Sequence, residues 1–207
     1  MKKIKFAVIG CGHIGKRHIA VLDAEPKAEI FAISDIDTEI CVSQSKLYND
    51  LTWYNNYIEL LKKDFDVAII STPHGLHYEM SILASNAGKH VLVEKPMALK
   101  ALHCEEMISQ AKKNNVTLSV VKQNRFNKPI ELVNKALIEN KLGKIYFVKC
   151  DVFWNRYKEY YTNSSWKGSK ELEGGALYTQ VSHFIDLLVW WLGVPKKCKT
   201  TLSNKYP

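Results

Sequence analysis

The sequence predicts an α/β fold that begins with a doubly wound parallel sheet. Short apolar runs alternate with amphipathic segments over roughly the first 120 residues. The runs IKFAVIG, EIFAIS, DVAIIS, HVLVE and VTLSVV predict strands, and residues 14–24, 38–46, 55–63, 75–87 and 100–114 predict helices. Alternating strands and helices form βαβ units, whose strands lie parallel in one sheet. We place the first domain at residues 1–123 and the second at residues 124–207.

The predicted helices have recognisable ends. The first helix opens directly after a glycine turn that begins at Gly10, and Asp37 is suited to cap the second helix at its N-terminus. Residues 86–88 read Asn-Ala-Gly, which is typical of a glycine C-cap, and Asn114-Asn115 closes the last of these helices.

Composition restricts the class of protein. The chain has 207 residues, 46% of them apolar, which is enough to bury a substantial core. The formal charge is +8, but the lysines occur in ones and twos, so we expect no nucleic-acid partner. The five cysteines show no CxxC pairing, which argues against disulfides and zinc. No membrane span or signal peptide is recognisable, so we expect a cytoplasmic protein.

The turn after the first strand reads GCGHIG, with Gly10, Gly12 and Gly15 in the G-x-G-x-x-G spacing. The first glycine suits a tight turn, the second a close approach of backbone to a pyrophosphate, and the third close packing of helix on strand. The helix N-terminus then faces the anion, so we expect this loop, with His13 and Ile14, to bind a dinucleotide. A plain glycine turn is the alternative.

Asp35 stands at the end of the second strand, about twenty residues beyond the glycines. A carboxylate at this position accepts hydrogen bonds from both hydroxyls of an adenosine ribose and repels a 2′-phosphate. The sequence therefore predicts NAD rather than NADP. The alternative is that Asp35 is a helix cap, a part for which Asp37 is better placed.

Five motifs together resemble the Gfo/Idh/MocA family of oxidoreductases: GCGHIG with the following Asp35, STPHGLH, EKP, KQNRFN and GGALYTQVSHFIDLL. The resemblance covers nearly the whole chain. It implies a Rossmann domain that binds NAD(P), and a C-terminal α/β domain whose open sheet contacts the substrate and packs against a partner subunit. We therefore expect a homo-oligomeric sugar-type dehydrogenase.

Lys95 of the EKP motif is the first candidate catalytic residue. The resemblance implies that this lysine lies beside the nicotinamide and the reacting hydroxyl, with Glu94 also at the cofactor. Its place at the carboxyl edge of a parallel sheet is where such folds bind ligands. An ordinary lysine is a poor base at neutral pH, so burial or a neighbouring cation would have to lower its pKa. The alternative is a surface lysine on a loop.

His183 is the second candidate catalytic residue, because the resemblance implies that it reaches the substrate hydroxyl. Thr179 lies four residues earlier on the same helical face and could contact the substrate, and Asp186 could orient the imidazole. The family usually has aspartate at the position of Thr179 and glycine at that of Val181. A threonine cannot act as a carboxylate base, so proton handling would fall on Lys95 and His183. A buried structural histidine is the alternative.

His74 and His77 lie close together in STPHGLH, but the residues around them do not supply further side chains at the spacing of metal ligands. We therefore expect no metal site here. The resemblance makes this a loop on the nicotinamide side, where Thr72, Pro73 and His77 would contact the cofactor.

The segment YKEYYTNSSWKG resembles the nucleotide-sugar branch of the family, which oxidises the 3-hydroxyl of UDP-linked N-acetylglucosaminuronic acid in surface-polysaccharide sugar biosynthesis. Trp166 could stack on sugar or uracil, and Lys167 and Arg125 could meet a diphosphate or carboxylate. Core aromatics are the alternative for this segment. The alternative functions are an inositol or free-sugar dehydrogenase and a non-catalytic NAD-binding regulator.

The sequence stops where the family would continue through several more strands. We therefore expect the second domain to be truncated and to leave the residues KIYFVKCDVFW without strand neighbours, and the truncated chain to be inactive by itself. Uncovered apolar faces of this kind favour association.

Overall fold

The computed structural model describes residues 2–201 and contains one parallel sheet of six strands. The strands are β1 (Ile4–Ile9), β2 (Ala28–Ser34), β3 (Trp53–Tyr54), β4 (Val67–Ile70), β5 (His90–Val93) and β6 (Leu118–Val120). Their spatial order is β3-β2-β1-β4-β5-β6, and every neighbouring pair is parallel. The order reverses between β1 and β4, which is where doubly wound sheets open a crevice for a ligand. The predicted fold class is confirmed.

Five of the six strands coincide with the predicted apolar runs. The sixth, β3, consists of two residues, Trp53 and Tyr54, and pairs with Ile33 and Ser34 of β2. A strand of this length has no alternation to detect, so the sequence pattern did not indicate it.

Five helices connect these strands: α1 (His13–Ala24), α2 (Thr38–Leu47), α3 (Tyr57–Leu61), α4 (His77–Asn86) and α5 (Ala101–Lys113). The side chain of Asp37 accepts hydrogen bonds from the backbone N–H groups of Glu39 and Ile40, which confirms it as the N-cap of α2. A short 3₁₀ turn, His74–Leu76, precedes α4.

Apolar side chains cover both faces of the sheet. Along β1, Ala7 and Ile9 belong to one buried cluster and Val8 to another, as strand alternation requires. The first cluster also takes residues from α3, α4 and α5, and the second takes Ile19 and Leu22 from α1. Because apolar side chains cover both faces, the edge at the carboxyl ends of the strands is the part of the sheet that can form a ligand site.

The chain divides into two compact units. The first contains residues up to 121 together with 155–179, and the second contains 122–154 and the residues from 180 onward. Our sequence-based boundary lies at residue 123, but residues 155–179 pack with the first unit rather than with the second. This segment carries the helix α7 (Lys158–Thr162) and the start of a π-helical turn, Leu177–Val181.

The second unit contains a 3₁₀ turn (Gln123–Phe126) and the helices α6 (Lys128–Ile138) and α8 (Ser182–Leu192). The expectation of sheet residues in KIYFVKCDVFW needs correction, because residues 145–157 form no helix or strand. Tyr146, Phe147 and Phe153 of this segment are exposed. An isolated extended segment gains no ladder hydrogen bonds, so it does not hold strand geometry by itself.

All five cysteines are free thiols. Cys11 and Cys41 are buried, Cys104 is half-buried, and Cys150 and Cys198 are exposed. Within residues 2–201, no helix is both long and apolar enough to cross a membrane. The same described residues contain no cluster of three or more His, Cys, Asp or Glu side chains suited to a metal.

Candidate active site

The glycine loop joins the end of β1 to α1 and has the shape that a pyrophosphate requires. Gly10 has a φ of +91°, which favours glycine, and a Cβ at Gly15 would lie 1.9 Å from the carbonyl oxygen of Gly10. A Cβ placed on Gly12 meets no atom within 4 Å, so the space beside this residue is open. Beyond it, His13 is exposed and Ile14 is half-buried at the start of α1.

Asp35 closes the other side of this loop. Its Oδ2 accepts a hydrogen bond of 2.6 Å from the backbone N–H of Cys11, and its Oδ1 accepts one of 3.0 Å from that of Asp37. The carboxylate is therefore fixed beside the glycines, and it does not cap α2. Each oxygen retains a second lone pair for a ribose hydroxyl.

The loop after β4 lies against the glycine turn. The hydroxyl of Ser71 donates a 2.7 Å hydrogen bond to the carbonyl oxygen of Gly10. Thr72 and Pro73 follow and are half-buried, so part of each remains open to a ligand. Their predicted contact with the cofactor stays a prediction, with a position that fits it.

His77 requires a correction. We expected it to contact the cofactor, but its side chain is 0% exposed and both ring nitrogens lie within hydrogen-bonding distance of protein carbonyl oxygens. A side chain without accessible surface cannot touch a bound ligand. His77 therefore belongs to the support of the site rather than to its surface.

Glu94 has a partner that the sequence analysis missed. Its Oε1 lies 2.9 Å from Nε2 of His18 on α1, and its Oε2 accepts a hydrogen bond from the backbone N–H of Lys95. Burial is the largest influence and acts to raise the pKa of Glu94, but the hydrogen bond and charge of His18, together with the backbone N–H and charge of Lys95, outweigh it, so the pKa is lowered. The only signal in the sequence was a general one: a buried carboxylate needs a partner.

Lys95 is half-buried at the carboxyl end of β5, and its peptide bond to Pro96 is cis. Its Nζ donates a 2.6 Å hydrogen bond to the main-chain carbonyl oxygen of Thr179. The side chain of Thr179 is used differently, because its Oγ1 donates to the carbonyl oxygen of Gly175. The anchor of Lys95 at this position is thus a peptide carbonyl.

Trp166 and Lys167 lie in the first unit beside the turn that follows β4. The segment is fixed there by two contacts: His74 Nδ1 lies 2.9 Å from the carbonyl oxygen of Glu173, and the N–H of Gly75 donates to that of Leu172. The Trp166 ring meets the His74 ring edge to face, with centroids 5.0 Å apart. Burial lowers the pKa of His74 to about 4, so this contact is made by a neutral imidazole at neutral pH.

In the second unit, Asp186 is paired with Arg125. Its two carboxylate oxygens accept hydrogen bonds of 2.8 and 2.7 Å from the guanidinium, which also lies over the Trp190 ring. Lys122 Nζ is 3.6 Å from the same carboxylate. Our expectation that Asp186 orients His183 needs correction, because the carboxylate is used to hold Arg125. His183 itself is buried on α8.

Two family descriptions match the chain. Residues 4–122 match the Gfo/Idh/MocA oxidoreductase family, NAD-binding Rossmann fold, and residues 134–206 match its C-terminal alpha/beta domain. The chain belongs to the Gfo/Idh/MocA family. The glycine loop and Asp35 fit the NAD-binding fold of this family, and the prediction of NAD as cofactor is confirmed at the level of that fold.

Solved structures of Gfo/Idh/MocA proteins resemble the chain closely. The WlbA dehydrogenase of Chromobacterium violaceum, in complex with NADH and UDP-GlcNAcA, is 39% identical with a TM-score of 0.90, over 93% of this chain and 56% of that one. The WlbA dehydrogenase of Bordetella pertussis, with the same ligands, is 36% identical with a TM-score of 0.89, over 93% and 59%.

Among curated Gfo/Idh/MocA proteins, the scyllo-inositol 2-dehydrogenase (NADP(+)) of Bacillus subtilis is 30% identical over 195 residues, covering 93% of this chain and 53% of its own length. The chain spans about half the length of the curated relatives it matches. The activity and substrate of the whole protein are therefore treated as proposals.

Proposed function

We propose that the chain forms the NAD-binding and catalytic-lysine part of an NAD-dependent dehydrogenase that oxidises a secondary hydroxyl of a nucleotide sugar. The observation that carries the proposal is the position of Lys95. It follows β5 at the carboxyl edge of the sheet, one strand beyond the switch point between β1 and β4, and this edge is where parallel sheets bind ligands. The UDP-GlcNAcA bound by the two WlbA structures supports a UDP-linked sugar acid as the substrate.

Different residues of the first unit would contact different parts of the cofactor. The open space at Gly12 and the N-terminus of α1 would receive the pyrophosphate, and Asp35 would accept hydrogen bonds from the ribose hydroxyls. Bound NAD supplies a hydride acceptor. Thr72 and Pro73 line the same crevice.

Lys95 handles the proton at its Nζ. Oxidation of a secondary alcohol removes a hydride from carbon and a proton from oxygen, and the proton needs an acceptor within hydrogen-bonding reach. The carbonyl oxygen of Thr179 accepts a hydrogen bond from Nζ and so orients it, and in its neutral amine form Nζ would accept the hydroxyl proton. His183 would be a second hydroxyl ligand.

Recognition of the rest of the substrate would use aromatic and cationic groups. Trp166 offers an indole beside the β4 turn, and Lys167 lies 3.9 Å from the centroid of the Tyr160 ring, so its ammonium is held near an aromatic face. Cations of this kind bind a diphosphate or a carboxylate. Arg125 remains a candidate, although two of its N–H groups already serve Asp186.

The second candidate function is an inositol or free-sugar dehydrogenase, which is favoured by the 30% identity to the scyllo-inositol enzyme. Such substrates carry no diphosphate and would leave Lys167 without a role. A regulator that binds NAD without turnover is a third reading, and the positioning of Lys95 argues against it. We also propose, from the sequence, a cytoplasmic homo-oligomer.

The test is incubation of the longest natural polypeptide that contains this sequence with NAD and a panel of substrates, following the absorbance of reduced nicotinamide. The panel contains UDP-N-acetylglucosaminuronic acid, UDP-N-acetylglucosamine, myo-inositol and scyllo-inositol. We expect turnover only with the UDP-linked sugar acid. Reduction of NAD by an inositol alone would replace the proposal with the second candidate, and NAD binding without turnover on any substrate would favour the regulator.

A further inference from the structure

His77 lies at the centre of an arrangement that no sequence motif indicated. It is the first residue of α4 and is completely buried. Its Nδ1 lies 2.8 Å from the carbonyl oxygen of Pro96, and its Nε2 lies 2.9 Å from the carbonyl oxygen of Thr72. The ring therefore joins two loops, one after β4 and one after β5.

These two loops are the ones that define the site. Thr72 belongs to the loop that borders the cofactor crevice, and Pro96 directly follows Lys95. The carbonyl of Pro96 belongs to the peptide unit that directly follows Lys95-Pro96, so a contact that fixes it restrains the backbone next to the lysine. The position of Lys95 relative to the crevice is thus coupled to His77 through one main-chain group.

The hydrogen-bonding capacity of the ring matters here. A neutral imidazole has one N–H and can satisfy only one of the two carbonyls, whereas a protonated ring can satisfy both. Burial is the largest influence and lowers the pKa of His77, while the two carbonyls and Glu94 act to raise it. The charge of Lys95 also acts to lower this pKa, and the ring of His74 lies 5.6 Å away between centroids.

We propose that His77 is a positioning residue for Lys95: its buried ring, wedged between the carbonyls of Thr72 and Pro96 and hydrogen-bonded to one of them when neutral, fixes the backbone next to Lys95 and thereby keeps the lysine amine against the carbonyl of Thr179. The proposal concerns where the Lys95 side chain is held. Of the two measurements described below, only the turnover measurement rests on the proposed function.

The test uses two variants and a control of the same residue type. His77→Phe keeps an aromatic ring and removes both nitrogens, whereas His77→Gln retains an amide that can donate to a carbonyl. His103→Phe is the control, because it makes the same change of residue type at a ring that stacks on Tyr78.

The primary readout needs no substrate. Trace acetylation with acetic anhydride, quantified by mass spectrometry, measures the reactivity of Lys95 relative to exposed Lys100 in the same sample. In His77→Phe we expect a several-fold increase in this ratio, because the amine is released from Thr179. His77→Gln should return it toward the wild-type value, and His103→Phe should leave it unchanged.

The second readout is turnover with NAD and the substrate identified above. We expect kcat of His77→Phe to fall by on the order of 10²-fold, the scale for a displaced catalytic group, with a smaller change in KM. Partial recovery of kcat in His77→Gln would show that the loss in His77→Phe comes from the missing hydrogen bond rather than from altered packing. If no substrate is turned over, the proposed function fails, and the acetylation ratio still decides the proposal about His77.

An acetylation ratio in folded His77→Phe equal to that of the wild type would overturn the proposal. If His77→Phe does not fold, as judged by circular dichroism, the acetylation ratio of His77→Gln decides the test. A ratio in His77→Gln as high as that of the unfolded protein would contradict the proposal, because an amide that hydrogen-bonds the carbonyl should keep Lys95 in place.

Discussion

The ε-amino group of Lys95 donates a hydrogen bond to the main-chain carbonyl oxygen of Thr179 over 2.6 Å. Position 179 is the place where this chain has threonine and the family usually has aspartate. Because the acceptor is a peptide carbonyl, the loss of the carboxylate does not remove this anchor from the lysine. The departure from the family pattern changes the groups available for proton transfer and leaves the position of Lys95 intact.

Thr179→Val should therefore leave the lysine in place. The variant loses the hydrogen bond from Oγ1 to Gly175, worth about 1 kcal/mol of unfolding free energy, and retains the carbonyl that accepts from Lys95. We expect urea unfolding to show that loss, and trace acetylation of Lys95 to match the wild type. A marked rise in Lys95 acetylation would mean that the threonine side chain holds the lysine after all. Thr162→Val, at the exposed end of α7, is the control.

Lys95→Met tests the proton-transfer role. Methionine keeps much of the stem and removes the amine, so NAD should bind nearly normally while kcat falls by on the order of 10²- to 10⁴-fold, the range for general acid-base catalysis. Turnover is measured on the longest natural polypeptide that contains this sequence, and NAD binding by fluorescence titration. Lys100→Met is the matched control. A Lys95→Met protein with more than about a tenth of wild-type kcat would exclude Lys95 as the principal base and favour His183.

Asp35→Ala tests cofactor choice. Removal of the carboxylate should weaken NAD binding and relieve the repulsion of a 2′-phosphate, so the preference for NAD over NADP should narrow. Asp37→Ala is a control from the same loop: it removes the cap of α2 and should cost about 1 kcal/mol of stability without changing the preference. Titrations in which the wild-type protein prefers NADP would refute the assignment of Asp35.

His74 should make stability depend on pH in a defined window. Its pKa is about 4 in the folded protein, against 6.5 ordinarily, so between these values the unfolded chain binds more protons than the folded one. Stability should then be complete above pH 6.5 and decrease as the pH falls toward 4, by on the order of 2 kcal/mol. Urea unfolding at several pH values measures this loss. His74→Asn, which has no titrating ring, should show a smaller acid dependence; an identical dependence would contradict the assignment.

The exposed aromatic residues of the second unit should promote self-association. Tyr146, Phe147 and Phe153 are 85%, 80% and 96% exposed in a segment without regular structure. We expect binding of a hydrophobic dye and a concentration-dependent mass in light scattering, both reduced by the double change Phe147→Ser and Phe153→Ser. A monomer at all concentrations, without dye binding, would contradict this.

Local patterns predicted most of the first unit. The parallel strands follow from apolar runs such as FAVI in β1, and the glycine spacing determines the turn because a Cβ at Gly15 would collide with Gly10. The cap at Asp37 follows from contacts two and three residues away. All of these features depend on neighbours in the chain, which a sequence pattern can represent.

The contacts that support the lysine could not be predicted in this way. His18 and Glu94 are 76 residues apart, and His77 contacts Pro96 across 19 residues. No spacing rule joins such partners, since their proximity results from the packing of α1 and α4 against neighbouring strands. Asp186 misled the sequence analysis for the opposite reason: its spacing from His183 fits one helical face, but Arg125, 61 residues away, is its hydrogen-bond partner.

The five thiols differ in their exposure, so the native cysteines can be labelled selectively. Burial raises the pKa of Cys11 to about 12 and also raises that of Cys41, so these two thiols stay protonated and shielded while the fold persists. The exposed Cys150 and Cys198 both lie in the second unit. A thiol-directed fluorophore would therefore label that unit first without any engineered cysteine.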